Sequence, residues 1–390
     1  MTQETPLAER DASATEKVAP TTGRLLGIDL ARCLALFGMY AAHVGPDPSD
    51  GGATGTLVEL THGRSMPLFA LLAGVTLVVI AGRTTPKTGR PGRQAAAKII
   101  IRAAILLVLG TALTMTGTSV EVILAYYGVY FLLALPLIRL RARTLALIAA
   151  GWALSGPQLS YVIQGFLDGP ADSGIDPLDR LSGDGFLDLL FTGSYPALTY
   201  LPFLIAGMAV GRLDLTSATV RVRLAALGGF LTALGYGGSW LAFQLFPNLM
   251  AATEAPSAWW SDVDGDPAGG AAWLLTAAPH SETTPWAVGS TGAALMVLAA
   301  ALAAVDMLPW LRRLATPLIA VGAMSLTAYV AHIVVLLPLG TDDLPSWPPH
   351  LLLGFIGAVT VPAFVWSRYF RRGPLEYMVH SATKASRYVR

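Results

Sequence analysis

Between residues 25 and 368 the chain is a succession of apolar segments, each about as long as a bilayer is thick. They fall at about 25–45, 65–82, 98–116, 120–138, 144–163, 196–212, 222–246, 286–305, 316–338 and 350–368. A helix needs about 20 apolar residues to cross the hydrocarbon, and in lipid the backbone must satisfy its own polar groups. The pattern predicts an all-α fold, a polytopic membrane bundle of about ten transmembrane helices. No interval between segments holds a soluble domain. The expected organisation is a polar, disordered cytoplasmic tail over 1–23, one membrane domain over 24–368, and a C-terminal cytoplasmic tail over 369–390. The tail 1–23 lacks the apolar core and cleavage site of a signal peptide, so the first span is expected to stay attached. Only 13% of residues are charged, against about 25% in a soluble protein. The net charge of +1 says nothing about nucleic acid, and with no basic patch interleaved with aromatics no nucleic-acid partner is expected.

Arginine distribution orients the bundle. With the N-terminus in the cytoplasm, the inner segments hold Arg83, Lys87, Arg90, Arg93, Lys98, Arg102, Arg139, Arg141, Arg143, Arg212, Arg221, Arg223, Arg312, Arg313 and the cations from Arg368 onward. The outer segments hold only Arg64 and Arg180, and they carry most of the acidic residues, Asp168 to Asp188 and Asp262 to Glu282. Both termini are therefore expected in the cytoplasm.

The first span carries Asp29, Arg32 and His43. At about 100° per residue, the steps from Arg32 to His43 come within about 20° of three full turns, and Asp29 precedes Arg32 by one turn. All three project from one face. A charged stripe facing lipid is unstable, so it must face the bundle interior. An ion pair then sits near the inner end of the helix and a titratable imidazole roughly 16 Å away near the outer end. The bland reading is a bracing ion pair and a solvated helix end.

His62 and Arg64 precede the second span on the outer side. Ser325, Tyr329 and His332 share one face of the ninth. For His332 the competing reading is a packed interior histidine. His280, His350 and His380 lie in loops or the tail and read as bystanders. Cys33, the only cysteine, excludes an intrachain disulfide. The long outer loops near 164–195 and 247–285 are rich in Gly, Pro, Asp and Trp, which suits a sugar-like ligand or a membrane interface. No metal-ligand spacing, phosphate-binding loop or dinucleotide fingerprint is present.

Five stretches carry a family resemblance. "GRLLGIDLARCLALFGMYAAHVG" resembles the opening of transmembrane acyltransferases, a superfamily that includes acyltransferase-3 proteins, heparan-α-glucosaminide N-acetyltransferase and bacterial YeiB-like proteins. The acyltransferase-3 proteins share the spacing of Arg32 and His43. "HGRSMPLFALLAGVTLVVIAGR" and "GSYPALTYLPFLIAGMAVGR" are similar to later segments of the group. "VGAMSLTAYVAHIV" and "RRGPLEYMV" resemble the closing region of YeiB-like proteins. Two positions depart from the pattern. Cys33 stands where the family has glycine, and His332 where YeiB-like proteins often have glutamine.

The resemblance implies an enzyme in the cytoplasmic membrane of a bacterium. It would move an acyl group, acetyl foremost, from cytoplasmic acyl-CoA to an extracytoplasmic hydroxyl or amine on a glycan, glycolipid or related acceptor. The catalytic residues would be His43, Arg32 and Asp29, with His43 as general base or as covalent acceptor of the acyl group. His62, Arg64, Tyr195, Tyr329 and His332 would support them. Arg83, Arg90, Arg93, Lys98, Arg139 and Arg141 would hold the phosphates of acyl-CoA. No metal is required. Partners are the bilayer, acyl-CoA and the acceptor, with a homodimer left open. The rival reading is a transporter or flippase that uses the same intramembrane charges as a relay.

Overall fold

The computed structural model describes residues 25–48, 51–167, 185–246, 248–249, 270–339 and 348–390. The expected tail 1–23, much of both outer loops and most of their acidic residues lie outside these. The described residues are helical throughout, with no strand among them.

Fourteen helices are used below. They are α1 (Leu26–Val44), α2 (Gly52–Thr61), α3 (Ser65–Ala81), α4 (Gly89–Thr114), α5 (Ile123–Leu133), α6 (Ala142–Leu167), α7 (Ala197–Gly211) and α8 (Ala218–Leu245). They continue with α9 (Thr284–Met307), α10 (Pro309–Leu314), α11 (Thr316–Ala323), α12 (Ser325–Leu336), α13 (Pro349–Tyr369) and α14 (Pro374–Ala382). Each apolar segment of the sequence falls on helix. Six helical stretches are long and apolar enough to cross a membrane by themselves: α2–α3 taken together, α4, α6, α8, α9 and α13. The pair α11 and α12 makes a seventh if counted as one span, bent by 83°. The remaining segments, α1, α5 and α7, are shorter or more polar, so length and hydropathy alone carry fewer crossings than the sequence pattern does.

Burial explains which helices are short or polar. Helix α1 is the hub, packed against α3, α9 and α11 and touching α2, α12 and α13. It has a protein neighbour on most sides, so Asp29 is 3% exposed without facing lipid. Helices α3 and α7 pack at close backbone range. A Cβ on Gly74 would lie 1.9 Å from the Leu204 carbonyl oxygen, and one on Gly207 1.8 Å from that of Leu71. Small residues set helix contacts in membranes because lipid gives apolar side chains no reason to prefer one another. Helices α4, α6, α8 and α13 lie at the periphery, where Val108, Leu147, Leu154, Phe230 and Leu353 remain exposed, as expected of a lipid-facing surface.

Two arginines tie loop carbonyls together. Arg212, which closes α7, donates to the Arg83 and Ile138 carbonyls, joining the end of α3 to the turn at 135–139. Arg221 donates to the Leu215 carbonyl at 2.8 Å and pairs with Asp306. Low dielectric makes an unmet carbonyl or cation expensive, so such clamps hold the helix ends in place.

Candidate active site

A small cavity of about 40 Å³ lies at the C-terminal end of α1. Its lining includes His43 from α1, Thr61 and Gly63 at the α2–α3 junction, and Tyr195 ahead of α7. His280, ahead of α9, and Tyr329 on α12 complete the polar part of the wall.

The centre of this site is a pair of imidazoles. His43 Nδ1 lies 3.0 Å from His332 Nε2, and the rings stack with centroids 5.3 Å apart and planes 8° from parallel. His332 Nδ1 lies 2.5 Å from the Tyr329 carbonyl oxygen. A carbonyl only accepts, so His332 Nδ1 must carry a proton. With His332 neutral, its Nε2 is then an acceptor, and His43 Nδ1 must donate. The neutral His43 ring is thereby left with its lone pair on Nε2. The tautomer of one histidine is set by a backbone carbonyl through the other.

The surroundings hold this pair still. Tyr40 donates to the Ala328 carbonyl at 2.9 Å, tying α1 to α12, and its ring lies 4.6 Å from that of His332. Tyr329 accepts from the Ile123 amide at 3.1 Å and so links α12 to α5.

Segment 276–283 completes the wall. His280 and Glu282 both adopt left-handed backbone, with φ of +58° and +56°. Such residues each cost on the order of 1–3 kcal/mol and persist where the surroundings over-determine them. Here Trp273 Nε1 donates to the Ser281 carbonyl at 3.1 Å, and the Thr283 hydroxyl bonds the Thr276 carbonyl. Gly63, with φ +64°, admits the loop, since a Cβ there would meet Pro279 Cα at 2.6 Å. Burial, aided by the nearby imidazoles of His62 and His43, pushes His280 down to about 4, so it is neutral at physiological pH. Burial also holds the Glu282 carboxyl well above the usual carboxylate range, against the opposing effect of the Thr199 hydroxyl 3.0 Å away.

The residues expected from sequence divide into three groups. His43, Tyr195 and Tyr329 line the cavity, and His332 stands directly behind His43. His62 lies beside it, its ring 5.5 Å from that of His280 and its Nδ1 4.0 Å from a Glu59 carboxylate oxygen. Arg64 turns away from it, donating to the Tyr236 hydroxyl at 3.0 Å and the Glu59 carbonyl at 2.6 Å.

Asp29 and Arg32 do not reach the cavity. Arg32 pairs with Asp29 at 3.0 Å and donates to the Thr76 hydroxyl at 2.6 Å, which ties the N-terminal half of α1 to α3. The expected donor-binding cations lie further off. Arg83 follows α3, about 27 Å along the axis from Ser65 by helical rise. Arg90, Arg93 and Lys98 stand on the first turns of α4, and Arg139 and Arg141 precede α6. Arg90, Arg139 and Arg141 are exposed, while Arg93 donates to the Arg390 carbonyl at 2.6 Å.

His280 and Tyr40 carry roles that the sequence reading missed. A lone histidine in a loop gives no periodic signal, and its placement rests on the distant Gly63. Among the described residues, no group of three or more His, Cys, Asp or Glu side chains is arranged to hold a metal ion.

Residues 24–239 match the family model described as the heparan-alpha-glucosaminide N-acetyltransferase catalytic domain. Residues 269–386 match a second model, described as a protein of unknown function, DUF418. The first match contains His43, His62 and Tyr195, and the second contains His280, Tyr329 and His332. The cavity lies where the two matched regions meet. No curated protein matches the chain.

Proposed function

The chain belongs to the family of the heparan-alpha-glucosaminide N-acetyltransferase catalytic domain, and from that premise we propose that it is a membrane-embedded acetyltransferase. It takes the acetyl group from cytoplasmic acetyl-CoA and delivers it to a hydroxyl or amine of a glycan, glycolipid or similar acceptor on the opposite face. The observation that carries this reading is the fixed tautomer of His43. A neutral imidazole in a cavity wall, with Nδ1 held by His332 and Nε2 left as a lone pair, is a general base set for use.

The chemistry follows. The acceptor O–H or N–H gives its proton to His43 Nε2 as its heteroatom attacks the thioester carbonyl. His43 becomes an imidazolium, its Nδ1–H bond to His332 intact. The Tyr195 hydroxyl in the cavity wall is a group available to steady the oxyanion, whereas that of Tyr329 already donates to the Glu121 carbonyl. The tetrahedral intermediate collapses, the C–S bond breaks, and the CoA thiolate takes the proton from His43. The neutral ring is regenerated in its starting tautomer. Base catalysis of this kind typically contributes about 10²–10⁴ in rate.

Ten crossings with both termini in the cytoplasm suit this route. The reading is supported by ten apolar segments, all helical, with α11 and α12 counted together, and by the arginine distribution. The donor phosphates then meet Arg83, Arg90, Arg93, Lys98, Arg139 and Arg141 at the inner ends, and the long arm of CoA carries the thioester inward. The membrane is the cytoplasmic membrane of a bacterium.

Incubating purified protein with radiolabelled acetyl-CoA and an envelope extract tests the proposal. Label transferred to an envelope component, and lost in His43→Ala, supports it. Vectorial uptake of an unmodified solute without transfer of label overturns it and favours the transporter.

A further inference from the structure

The histidine pair depends on α12 being in place, and α12 starts at a break in the helix, at the buried Met324. Helix α11 ends at Ala323, Met324 breaks the helix, and α12 leaves at 83°. The first amides of a helix have no carbonyl one turn earlier to bond. Inside a membrane protein water is scarce, so a break of this kind needs partners from elsewhere. Neither α11 nor Met324 supplies a side-chain cap.

The partner comes from the far end of the sequence. Glu376, on α14, accepts from the Leu326 amide at 2.8 Å and the Thr327 amide at 3.1 Å through one carboxylate oxygen. Its other oxygen accepts from the Thr327 hydroxyl at 2.6 Å. The Thr327 hydroxyl in turn accepts from the Leu375 amide at 3.1 Å. The cluster is tight enough to exclude a side chain at Gly373, where a Cβ would lie 2.3 Å from the nearer Glu376 carboxylate oxygen and 2.8 Å from Thr327 Oγ1. A carboxylate at a helix N-terminus also meets the positive end of the helix dipole. This segment is the Gly-Pro-Leu-Glu run singled out in the sequence, and nothing in the cavity uses it.

Helix α12 is short and rigid, and what fixes its start fixes its later turns. Ala328, Tyr329 and His332 lie within two turns of Thr327. Through them α12 receives the Tyr40 hydroxyl, holds the Ile123 amide and presents His332 to His43.

We propose that Glu376 is a positioning residue for the transfer reaction: by capping α12 it sets the register in which His332 holds the His43 tautomer. The inference rests on the acetyltransferase reading. It makes the inner helix α14 part of the machinery of a site near the outer face. Glu376 touches neither substrate nor reacting atoms, and acts only through α12.

Two readouts test it, one of which needs no activity. The first is amide hydrogen exchange of peptides covering 325–333 in detergent-solubilised protein. The second is the split between kcat and the KM for acetyl-CoA. The variants are Glu376→Gln, which keeps an oxygen able to accept from both amides, Glu376→Ala, and Thr327→Val, which removes only the hydroxyl bridge. In Glu376→Ala, exchange over 325–333 should rise at least about tenfold and kcat fall by a similar factor, with KM nearly unchanged. Glu376→Gln should recover most of both, and Thr327→Val should fall between wild type and Ala even if Ala fails to fold. A folded Glu376→Ala protein, or Thr327→Val, with wild-type exchange and wild-type kcat overturns the proposal. So does a Gln variant as defective as Ala. If wild-type protein transfers no acetyl group, the functional reading fails, and the exchange measurement still decides whether Glu376 governs α12.

Discussion

His43 and His332 lie 289 residues apart in sequence and 3.0 Å apart in space, and the direction of the hydrogen bond between them is fixed by a third group, the Tyr329 carbonyl. That direction gives His332 one task, to accept a proton from His43 Nδ1. Any side chain that places an acceptor there should serve. His332→Gln offers a carbonyl oxygen and should keep kcat within about tenfold of wild type. His332→Leu offers none, frees the His43 tautomer and should lose at least about 10²-fold, since holding a wrong tautomer removes a base from use. Acetyl transfer by the two purified variants decides this, and equal losses would contradict the assigned direction.

The loop histidine gives a pH signature. His280 is held down to about 4 in the folded protein, while an unfolded histidine titrates near 6.5. Above pH 6.5 both states are neutral and the shift contributes nothing. As pH falls from about 6.5 to 4 the unfolded state binds a proton that the folded state refuses, so stability is lost through that window. The full shift corresponds to an upper limit of about 3 kcal/mol. His280→Gln should flatten the fall in thermal midpoint between pH 6.5 and 4. An unchanged fall would place its origin in another group.

Arg32 and Asp29 brace the N-terminal half of α1, about 16 Å by helical rise from His43. Arg32→Ala strands a nearly buried carboxylate and should cost about 3–5 kcal/mol and most of the folded yield. Asp29→Asn with Arg32→Gln removes both charges and keeps hydrogen-bonding groups toward Thr76. The sequence stripe places all three residues in one catalytic unit, so it expects this double variant to be folded and dead. The separation seen in the structure leads to the opposite expectation, recovered yield with measurable kcat. Size-exclusion yield and transfer rate together distinguish the two.

The donor route is checked by kinetics. Neutralising Arg90, Arg139 and Arg141, all exposed, should raise the KM for acetyl-CoA with kcat nearly unchanged, as expected when uniform binding is removed. Arg93 is a poorer choice because its guanidinium already holds the Arg390 carbonyl. These cations also orient the bundle, so a reporter fusion near residue 92 should first show that insertion is intact. A correctly inserted variant with wild-type KM would move the donor site elsewhere.

Hydropathy made the all-helical membrane bundle legible, because segment length and polarity are local properties; six stretches pass as spans by themselves, or seven with α11 and α12 taken together. It also placed the Asp29–Arg32–His43 stripe in the interior, since lipid tolerates no such face. The same signal concealed the break at Met324, which lies inside the unbroken apolar run 316–338 and is stabilised by Glu376 from another helix. It also missed α2, a short helix in what reads as a loop. His280 was set aside because a loop histidine has no periodicity, and its position depends on left-handed backbone and on the missing side chain of Gly63. Contacts of that kind join distant parts of the chain and leave no mark on local composition.

The last expectation separates His43 from the other imidazoles at the cavity. His43, His62 and His280 all stand near it, and any of them is a plausible base by residue type alone. His43 has its lone pair assigned by a hydrogen-bonded chain that ends on a backbone carbonyl. His43→Ala should therefore lose about 10²–10⁴ in kcat. It leaves His332 Nε2 without its donor, at a stability cost of about 1–3 kcal/mol, small enough for folded protein to be recovered. His280→Gln keeps a polar group in the wall and should lose less than about tenfold in kcat. The measurement is single-turnover transfer from radiolabelled acetyl-CoA with both variants matched for folded protein. Wild-type turnover in folded His43→Ala would remove the general base from this account, and a large loss in His280→Gln alone would transfer the role to the loop.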